Sequence, residues 1–303
     1  MDGILNINKP RGKTSFRVVA LIRRLTGERR IGHAGTLDPE ATGVLPVCLG
    51  QATRIVEFLV DSAKTYRAEI ELGVTTDTYD SAGAVTRRGD ASTIGRERVE
   101  AALESFRGVI LQTPPMYSAV KHRGRPLYEL ARAGITVERQ QREVEVHHLE
   151  LTEWRPPMAT VEVVCSKGTY IRSLANDLGE LLECGASLRG LVRLRCGPFG
   201  VEDAVSLPEL ESAFDSGSWQ QYVHPMDCVL LHWKAVTVNE EIAQSIRNGR
   251  PVGLEDTSGG GDGQPPDSVA DDRCRAYSPD GRLLALMRLD AATDDWRPMK
   301  VFQ

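Results

Sequence analysis

Apolar and polar residues alternate along Lys64–Leu72, with Tyr66, Ala68, Ile70 and Leu72 on one side and Thr65, Arg67, Glu69 and Glu71 on the other. A period of two belongs to a half-buried strand. Residues 142–151 and 160–165 alternate in the same way, and Gly3–Asn8 reads as a short strand before a basic loop, Lys9–Ser15. Elsewhere the period lengthens to that of a helix. After Thr14 and Ser15, either of which can cap, Val18, Ile22 and Leu25 share one face until Gly27. Arg98–Phe106 reads as a second helix. Gly168 then turns the chain into Tyr170–Leu182, where Ile171, Leu174, Leu178 and Leu181 recur at helical spacing. Strands and helices mix without a regular strand–helix–strand rhythm. The expected class is α+β, with a mixed, largely antiparallel central sheet.

Between residues 208 and 235 the pattern is interrupted by Pro208, Ser216-Gly217-Ser218 and Pro225. This predicts a large unit over residues 1–230 and a small β-rich unit over 231–303, built from Val236–Arg250 and Cys274–Phe302. Between those two segments, Asp256–Asp272 is rich in Gly, Asp and Pro and is expected to be a flexible surface insertion. A chain of 303 residues with 41% hydrophobic content can bury a sizeable core. With no signal-like or membrane-length apolar run, a cytoplasmic protein without a membrane partner is expected. Six cysteines without a CxxC pair read as reduced thiols.

The formal charge of −5 argues against a nucleic-acid partner, but its distribution changes the picture. Residues 1–35 carry eight Lys/Arg against two acids, and residues 120–142 carry six against two. Acid collects elsewhere, in Glu255, Asp256, Asp262, Asp267, Asp271 and Asp272. Such segregation suits a basic face that meets phosphates.

The candidate chemistry centres on Gly32–Pro46, GHAGTLDPEATGVLP. It sets one carboxylate, Asp38, in a loop punctuated by Gly35 and Pro39, with His33 five residues before it. Taken alone, Asp before Pro is a common turn former. Gly12-Lys13-Thr14 is not a phosphate loop, because Ile7 stands where a Walker A motif needs its first glycine. His147 and His148 lack a third ligand at metal spacing and read as structural.

The whole string closely resembles the active-site motif of the TruB family, the bacterial tRNA pseudouridine-55 synthases. Further segments match in order: NKPRGKTS (Asn8–Ser15), KTYRAEIELG (Lys64–Gly73), QTPPMYSAVKHRGRPLYELARAG (Gln112–Gly134), SKGTYIRSLANDLG (Ser166–Gly179) and GASLRGLVRLRCGPF (Gly185–Phe199). The tail more weakly resembles a PUA domain, and its acidic insertion departs from the compact form of that domain.

The resemblance implies a pseudouridine synthase fold and a PUA-like C-terminal unit. It makes Asp38 the nucleophile, attacking either C6 of the uracil or C1′ of the ribose, with Arg172 as its cation and Tyr66 stacking on the base and taking a proton. Tyr170 and Leu191 become apolar walls, and His33 fills the space left by a flipped-out nucleotide. Lys9, Arg11, Lys13 and a gripping loop over residues 112–142, with Lys121, Arg123 and Arg125, are expected to hold phosphates. The implied partner is the T-loop of tRNA, with no cofactor, metal, guide RNA or protein partner, and a monomer is expected. Rival readings are a guide-dependent relative, a non-catalytic RNA-binding protein on the same fold, and a nucleosidase that releases free uracil.

Overall fold

The computed structural model describes residues 1–253 and 272–302. The expected insertion over residues 256–272 lies, apart from Asp272, outside them.

The chain opens with β1 (Gly3–Lys9), α1 (Ser15–Thr26), β2 (Ile31–His33), β3 (Thr42–Leu49), α2 (Val56–Asp61) and β4 (Lys64–Leu72). A hairpin of β5 (Val74–Thr76) and β6 (Val85–Arg88) leads to α3 (Arg96–Glu104) and β7 (Gly108–Gln112). A second hairpin, β8 (Lys121–His122) and β9 (Arg125–Pro126), runs into α4 (Leu127–Arg132). Then follow β10 (Arg142–Arg155), β11 (Met158–Cys165), α5 (Ile171–Leu181) and β12 (Ala186–Cys196). Short pieces β13 (Phe199–Gly200), β14 (Val205–Ser206), α6 (Leu207–Asp215) and β15 (Val223–His224) close the large unit. The tail holds β16 (Lys234–Thr237), α7 (Glu240–Arg247), β17 (Arg273–Tyr277), β18 (Leu283–Asp290) and β19 (Asp295–Val301).

Among the described residues these strands form an eleven-stranded sheet ordered β14-β1-β3-β12-β4-β11-β10-β7, with β2, β13 and β15 beside it. A separate four-stranded sheet runs β16-β17-β18-β19. In the large sheet the β1–β14 and β3–β12 pairs are parallel and the rest antiparallel, as the α+β reading expects. Strand β12 is the hinge of the architecture. It joins the N-terminal half of the sheet at β3 to the other half at β4. Gly43 makes the first contact possible: its φ is +97°, and a Cβ there would lie 2.3 Å from the Arg193 carbonyl oxygen.

Two apolar cores follow from this seam. One gathers Ile70, Val161, Leu174 and Leu178 under α3 and α5. The other gathers Leu5, Ile7, Val18, Ile22 and Leu45 under α1. Tyr66 and Leu191 pack against both.

Local signals explain most element ends. Thr14 Oγ1 accepts the Arg17 amide at 3.1 Å to start α1, and Gly27, at φ +66°, ends it with its N–H on the Arg23 carbonyl. Leu25, expected on the buried face, is only half-buried.

Several expectations are corrected. Helix α3 begins two residues earlier than the predicted Arg98–Phe106, after Gly95, and stops where Ser105 Oγ bonds the Ala102 carbonyl. Strand β10 continues past residue 151 to Arg155, because an irregularity between Leu151 and Glu153 breaks the two-residue period that the sequence reading relied on. Leu181 is 51% exposed, and Leu182 takes the buried place on that face. Val236–Arg250 is not all strand. Asn239 Oδ1 accepts the Ile242 amide and starts α7, with Glu240 and Glu241 in its first turn.

Candidate active site

The loop that carries Asp38 leaves β2 and enters β3, and bonds from several elements fix it. Ser15 Oγ, at the start of α1, accepts the Leu37 amide at 2.9 Å and donates to the Leu37 carbonyl at 3.1 Å. The Pro39 carbonyl accepts from the Gly12 amide at 2.8 Å and from Lys9 Nζ at 3.1 Å. Arg193 Nη2 donates to the Gly35 carbonyl at 3.1 Å, and its Nε to the Val44 carbonyl at 2.6 Å. Both backbone flanks of Asp38 are therefore held while the carboxylate projects between them.

Helix α5 brings Arg172 to that carboxylate. Arg172 Nε lies 2.9 Å from Asp38 Oδ2, and Nη2 donates to Oδ1 at 3.2 Å. This is the fork geometry in which a guanidinium binds a carboxylate best. The side chain of Arg172 is 7% exposed, whereas that of Asp38 keeps 40% of its surface open. Arg172 also faces Asp80 Oδ2 at 3.6 Å and donates to the carbonyls of Thr78 and Tyr117 at 3.4 and 2.9 Å. Burial pushes the Asp38 carboxyl above the ordinary carboxylate value. The Arg172 charge opposes that, the Asp80 charge adds to it, and Lys9 opposes it more weakly.

Asp80 was not singled out in the sequence. It sits in a loop where Tyr79 takes φ +64° and the backbone bridges to Leu188 of β12. Its Oδ1 accepts Thr78 Oγ1 at 2.6 Å and the Ala82 amide at 3.0 Å. Asp38, Asp80, Arg172, Leu188, Gly190 and Leu191 line one cleft.

Tyr66 projects from β4 at the seam, opposite Arg193 of β12. Burial raises its phenol, and the charge and hydrogen bond of Arg193 pull it back down. Tyr170 caps α5 and is half-buried. The Gln112 side chain clamps its backbone, accepting the amide at 2.7 Å and donating to the carbonyl at 3.0 Å. Gln112, too, went unnoticed in the sequence. It fastens the base of the loop over residues 112–142 to the helix that bears Arg172, and Ser173 Oγ adds a bond to the Thr113 carbonyl at 2.8 Å.

The structure separates the remaining site residues. His33 stands on β2 opposite Val47, outside the cleft lining, with its Nδ1 buried and unbonded among the described residues. Burial and the Arg193 charge hold its pKa below the usual histidine value, which favours the neutral ring. Lys9 does not face solvent phosphate. It is fully buried and its Nζ donates to the carbonyls of Pro10, Lys13 and Pro39, while burial lowers its pKa to about 8. Charge alone misassigned it: it braces the Asp38 loop from within.

Lys13 is exposed, and Arg11 is exposed with Glu40 at 3.7 Å. Lys121, Arg123 and Arg125 stand exposed on the β8–β9 hairpin, whose turn residues Arg123 and Gly124 have φ +50° and +85°. No ion pair of these three occurs among the described residues. Nor is any group of His, Cys, Asp or Glu there placed to hold a metal ion. None of the six cysteines forms a disulfide among the described residues, and five of them are buried.

Residues 23–171 match the TruB family pseudouridylate synthase N-terminal domain, and residues 172–231 match the tRNA pseudouridylate synthase B C-terminal domain. A Dehalococcoides mccartyi protein named tRNA pseudouridine synthase B is 45% identical over 303 residues, covering 100% of this chain and 97% of its own. A Symbiobacterium thermophilum protein of the same name is 54% identical over 213 residues, 69% of this chain and 71% of its own. Among solved structures, an H/ACA RNP bound to a substrate RNA containing 2′-deoxyuridine superposes with TM-score 0.73 at 25% identity, covering 99% of this chain and 85% of that one. A Cbf5–Nop10–Gar1 complex gives TM-score 0.72 at 26% identity, covering 99% and 84%. Fold and likeness together define the class as a pseudouridine synthase, an isomerase. Within that class the chain belongs to the TruB family of pseudouridylate synthases.

Proposed function

We propose that this chain converts uridine 55 in the T-loop of tRNA to pseudouridine, with Asp38 as nucleophile, acting alone and without a cofactor. One observation carries the reading: an arginine-paired carboxylate, open to a cleft, stands where the family motif predicts it. The substrate comes from the relatives named tRNA pseudouridine synthase B, one of them matching the full length of this chain.

The reaction breaks the bond from N1 to C1′, turns the detached uracil and joins C5 to C1′. The product is an isomer of the substrate, so the overall change calls for no redox partner, energy source or group donor. Asp38 attacks as a carboxylate, at C1′ of the ribose or C6 of the base. Arg172 binds one lone pair on each carboxylate oxygen and leaves the others free for the cleft. Its charge favours the ionised form of Asp38, opposing the burial that favours the neutral acid.

A uracil inside folded RNA reaches this depth only if flipped out, at a cost of roughly a few kcal/mol. Tyr66 stacks on the base and takes the ribose proton during rearrangement, with Leu191 and Tyr170 as apolar walls. The neutral ring of His33 fills the vacated stack. Arg11, Lys13 and the β8–β9 hairpin grip phosphates, and the β16–β19 unit serves as a PUA-like RNA-binding domain over residues 231–303. A cytoplasmic monomer suffices for this reading.

The test incubates the purified protein, with no guide RNA or cofactor, with an unmodified tRNA transcript, and maps pseudouridine at single-nucleotide resolution. Conversion at position 55 alone supports the reading. Tight tRNA binding without conversion would favour a guide-dependent or non-catalytic role, and free uracil would indicate a nucleosidase.

A further inference from the structure

Arg193 is 1% exposed, and no carboxylate pairs with it among the described residues. A buried charge in that state is disfavoured unless other groups use it. Its guanidinium is tied to the Asp38 loop, and the place of Arg193 in the strand pairs it with Tyr66. On one side it donates to the carbonyls of Gly35, three residues before Asp38, and Val44, at 3.1 and 2.6 Å. On the other, Arg193 is the cross-strand partner of Tyr66 in the β12–β4 register, and paired residues of adjacent strands share a face.

The remaining groups around the pair are cations and neutral groups. Burial lowers the pKa of His33 on β2, Lys9 at the end of β1 and Lys64 on β4, and the Arg193 charge adds to that lowering in each. Cys165 on β11 and Cys196 on β12 also lie near the phenol, and negative charge on either sulfur would oppose its ionisation. Arg193 is thus the group that favours negative charge on the Tyr66 oxygen, against burial.

We propose that Arg193 is a positioning residue for the isomerisation: one guanidinium fixes the Tyr66 phenol oxygen relative to the Asp38 loop and supports that oxygen as a phenolate. A tyrosine accepts the ribose proton only after its own O–H proton has left to water, so the supporting charge bears directly on that step. The inference rests on the reading of Tyr66 as proton acceptor.

Two measurements on the full chain test it. The first follows the guanidinium resonances of Arg193 by NMR in the wild type and in Tyr66→Phe, which removes one oxygen and leaves the packing. The expected result is a shifted signal with faster hydrogen exchange in the variant. Unchanged position and exchange would overturn the contact, whatever the activity.

The second measures single-turnover isomerisation at saturating enzyme. Arg193→Met is expected to slow it roughly ten- to a hundredfold with tRNA affinity within about threefold of wild type. Arg193→Lys, which keeps the charge, recovers part of the rate. In the Tyr66→Phe background the same Arg193→Met change is expected to cost much less, because both residues act at one step. Equal losses in both backgrounds would overturn the proposal. A wild-type rate in Tyr66→Phe would also overturn it, by removing Tyr66 as proton acceptor, and the guanidinium signal tells that failure from a missing contact.

Discussion

Arg172 holds Asp38 by both edges of its carboxylate, Nε to Oδ2 at 2.9 Å and Nη2 to Oδ1 at 3.2 Å, while its Nη1 faces Asp80 Oδ2 at 3.6 Å. One buried cation therefore faces two carboxylates, and only Asp38 keeps a large open surface. This asymmetry suits the proposed roles, Asp38 as the reacting acid and Asp80 as a supporting one. It also makes the ionisation of Asp38 adjustable from either side.

Asp38→Asn is expected to lower the rate of tRNA isomerisation by more than roughly 10³-fold, since an amide oxygen is a poor nucleophile. Arg172 keeps Asp80 and the Thr78 and Tyr117 carbonyls, so the fold and the RNA face survive. Affinity for tRNA should stay within about tenfold, a change of no more than about 1.4 kcal/mol. Filter binding and single-turnover assays on one preparation check both statements. Turnover near wild type would remove Asp38 from the mechanism.

The acid limb of the pH–rate profile should follow Asp38. Its carboxyl is raised above the ordinary value of 3.8, so activity falls as pH drops through a point above that value. Removing the opposing cation in Arg172→Met raises the carboxyl further and moves the limb to higher pH. Removing the like charge in Asp80→Asn moves it to lower pH. Three coincident limbs would show that this ion-pair cluster does not set the ionisation of the reacting group.

These relationships were unevenly legible in the sequence. Alternation in Lys64–Leu72 and the apolar spacing of α1 and α5 reveal the elements, because each buries one face and its local pattern records that. Asp38 is visible only through the resemblance of the whole Gly32–Pro46 string to a family motif, since Asp before Pro alone reads as a turn. Asp80, Gln112 and Arg193 are invisible for a common reason: each acts through backbone carbonyls or charges far away in sequence. Arg193 in a strand beside Arg189 and Arg195 reads as a solvent-facing charge, and only the β3–β12–β4 seam buries it. Lys9 fails in the opposite sense, since a lysine in a basic loop reads as a phosphate contact until its three carbonyl partners are seen. The Asn239 cap of α7 was readable, yet the strand-like stretch after it concealed the helix.

Lys9 offers a stability test. Lys9→Met leaves three carbonyls without their shared donor and should lower stability by about 1–3 kcal/mol, read as a lower urea midpoint. The loss should also depend on pH. A lysine that titrates at about 8 in the fold and at 10.5 in the open chain holds fewer protons in the native state between those values. Wild-type stability therefore rises with pH across that window, and Lys9→Met removes that rise. The difference between the two proteins in urea midpoint, followed from pH 7.5 to 10.5, checks it. A difference independent of pH would mean that Lys9 titrates alike in both states.

The β8–β9 hairpin presents Lys121, Arg123 and Arg125 to solvent, and none has an ion-pair partner among the described residues. Free cations of this kind suit phosphate contact better than paired ones, because no protein carboxylate must be displaced first. The hairpin also lies on the segment that Gln112 clamps to Tyr170, so RNA bound there is held close to the helix carrying Arg172. Neutralising all three to Gln should weaken tRNA binding similarly for different tRNA sequences, since phosphates carry no base information. Each lost phosphate contact lowers the slope of log affinity against log salt by about 0.7–0.9, so the triple variant should flatten it by about 2–3. The single-turnover rate at saturating enzyme should change little, because the Asp38–Arg172 pair is untouched. Binding titrations between 50 and 300 mM salt check the slope, and an unchanged slope would place the phosphate-gripping face elsewhere on the molecule.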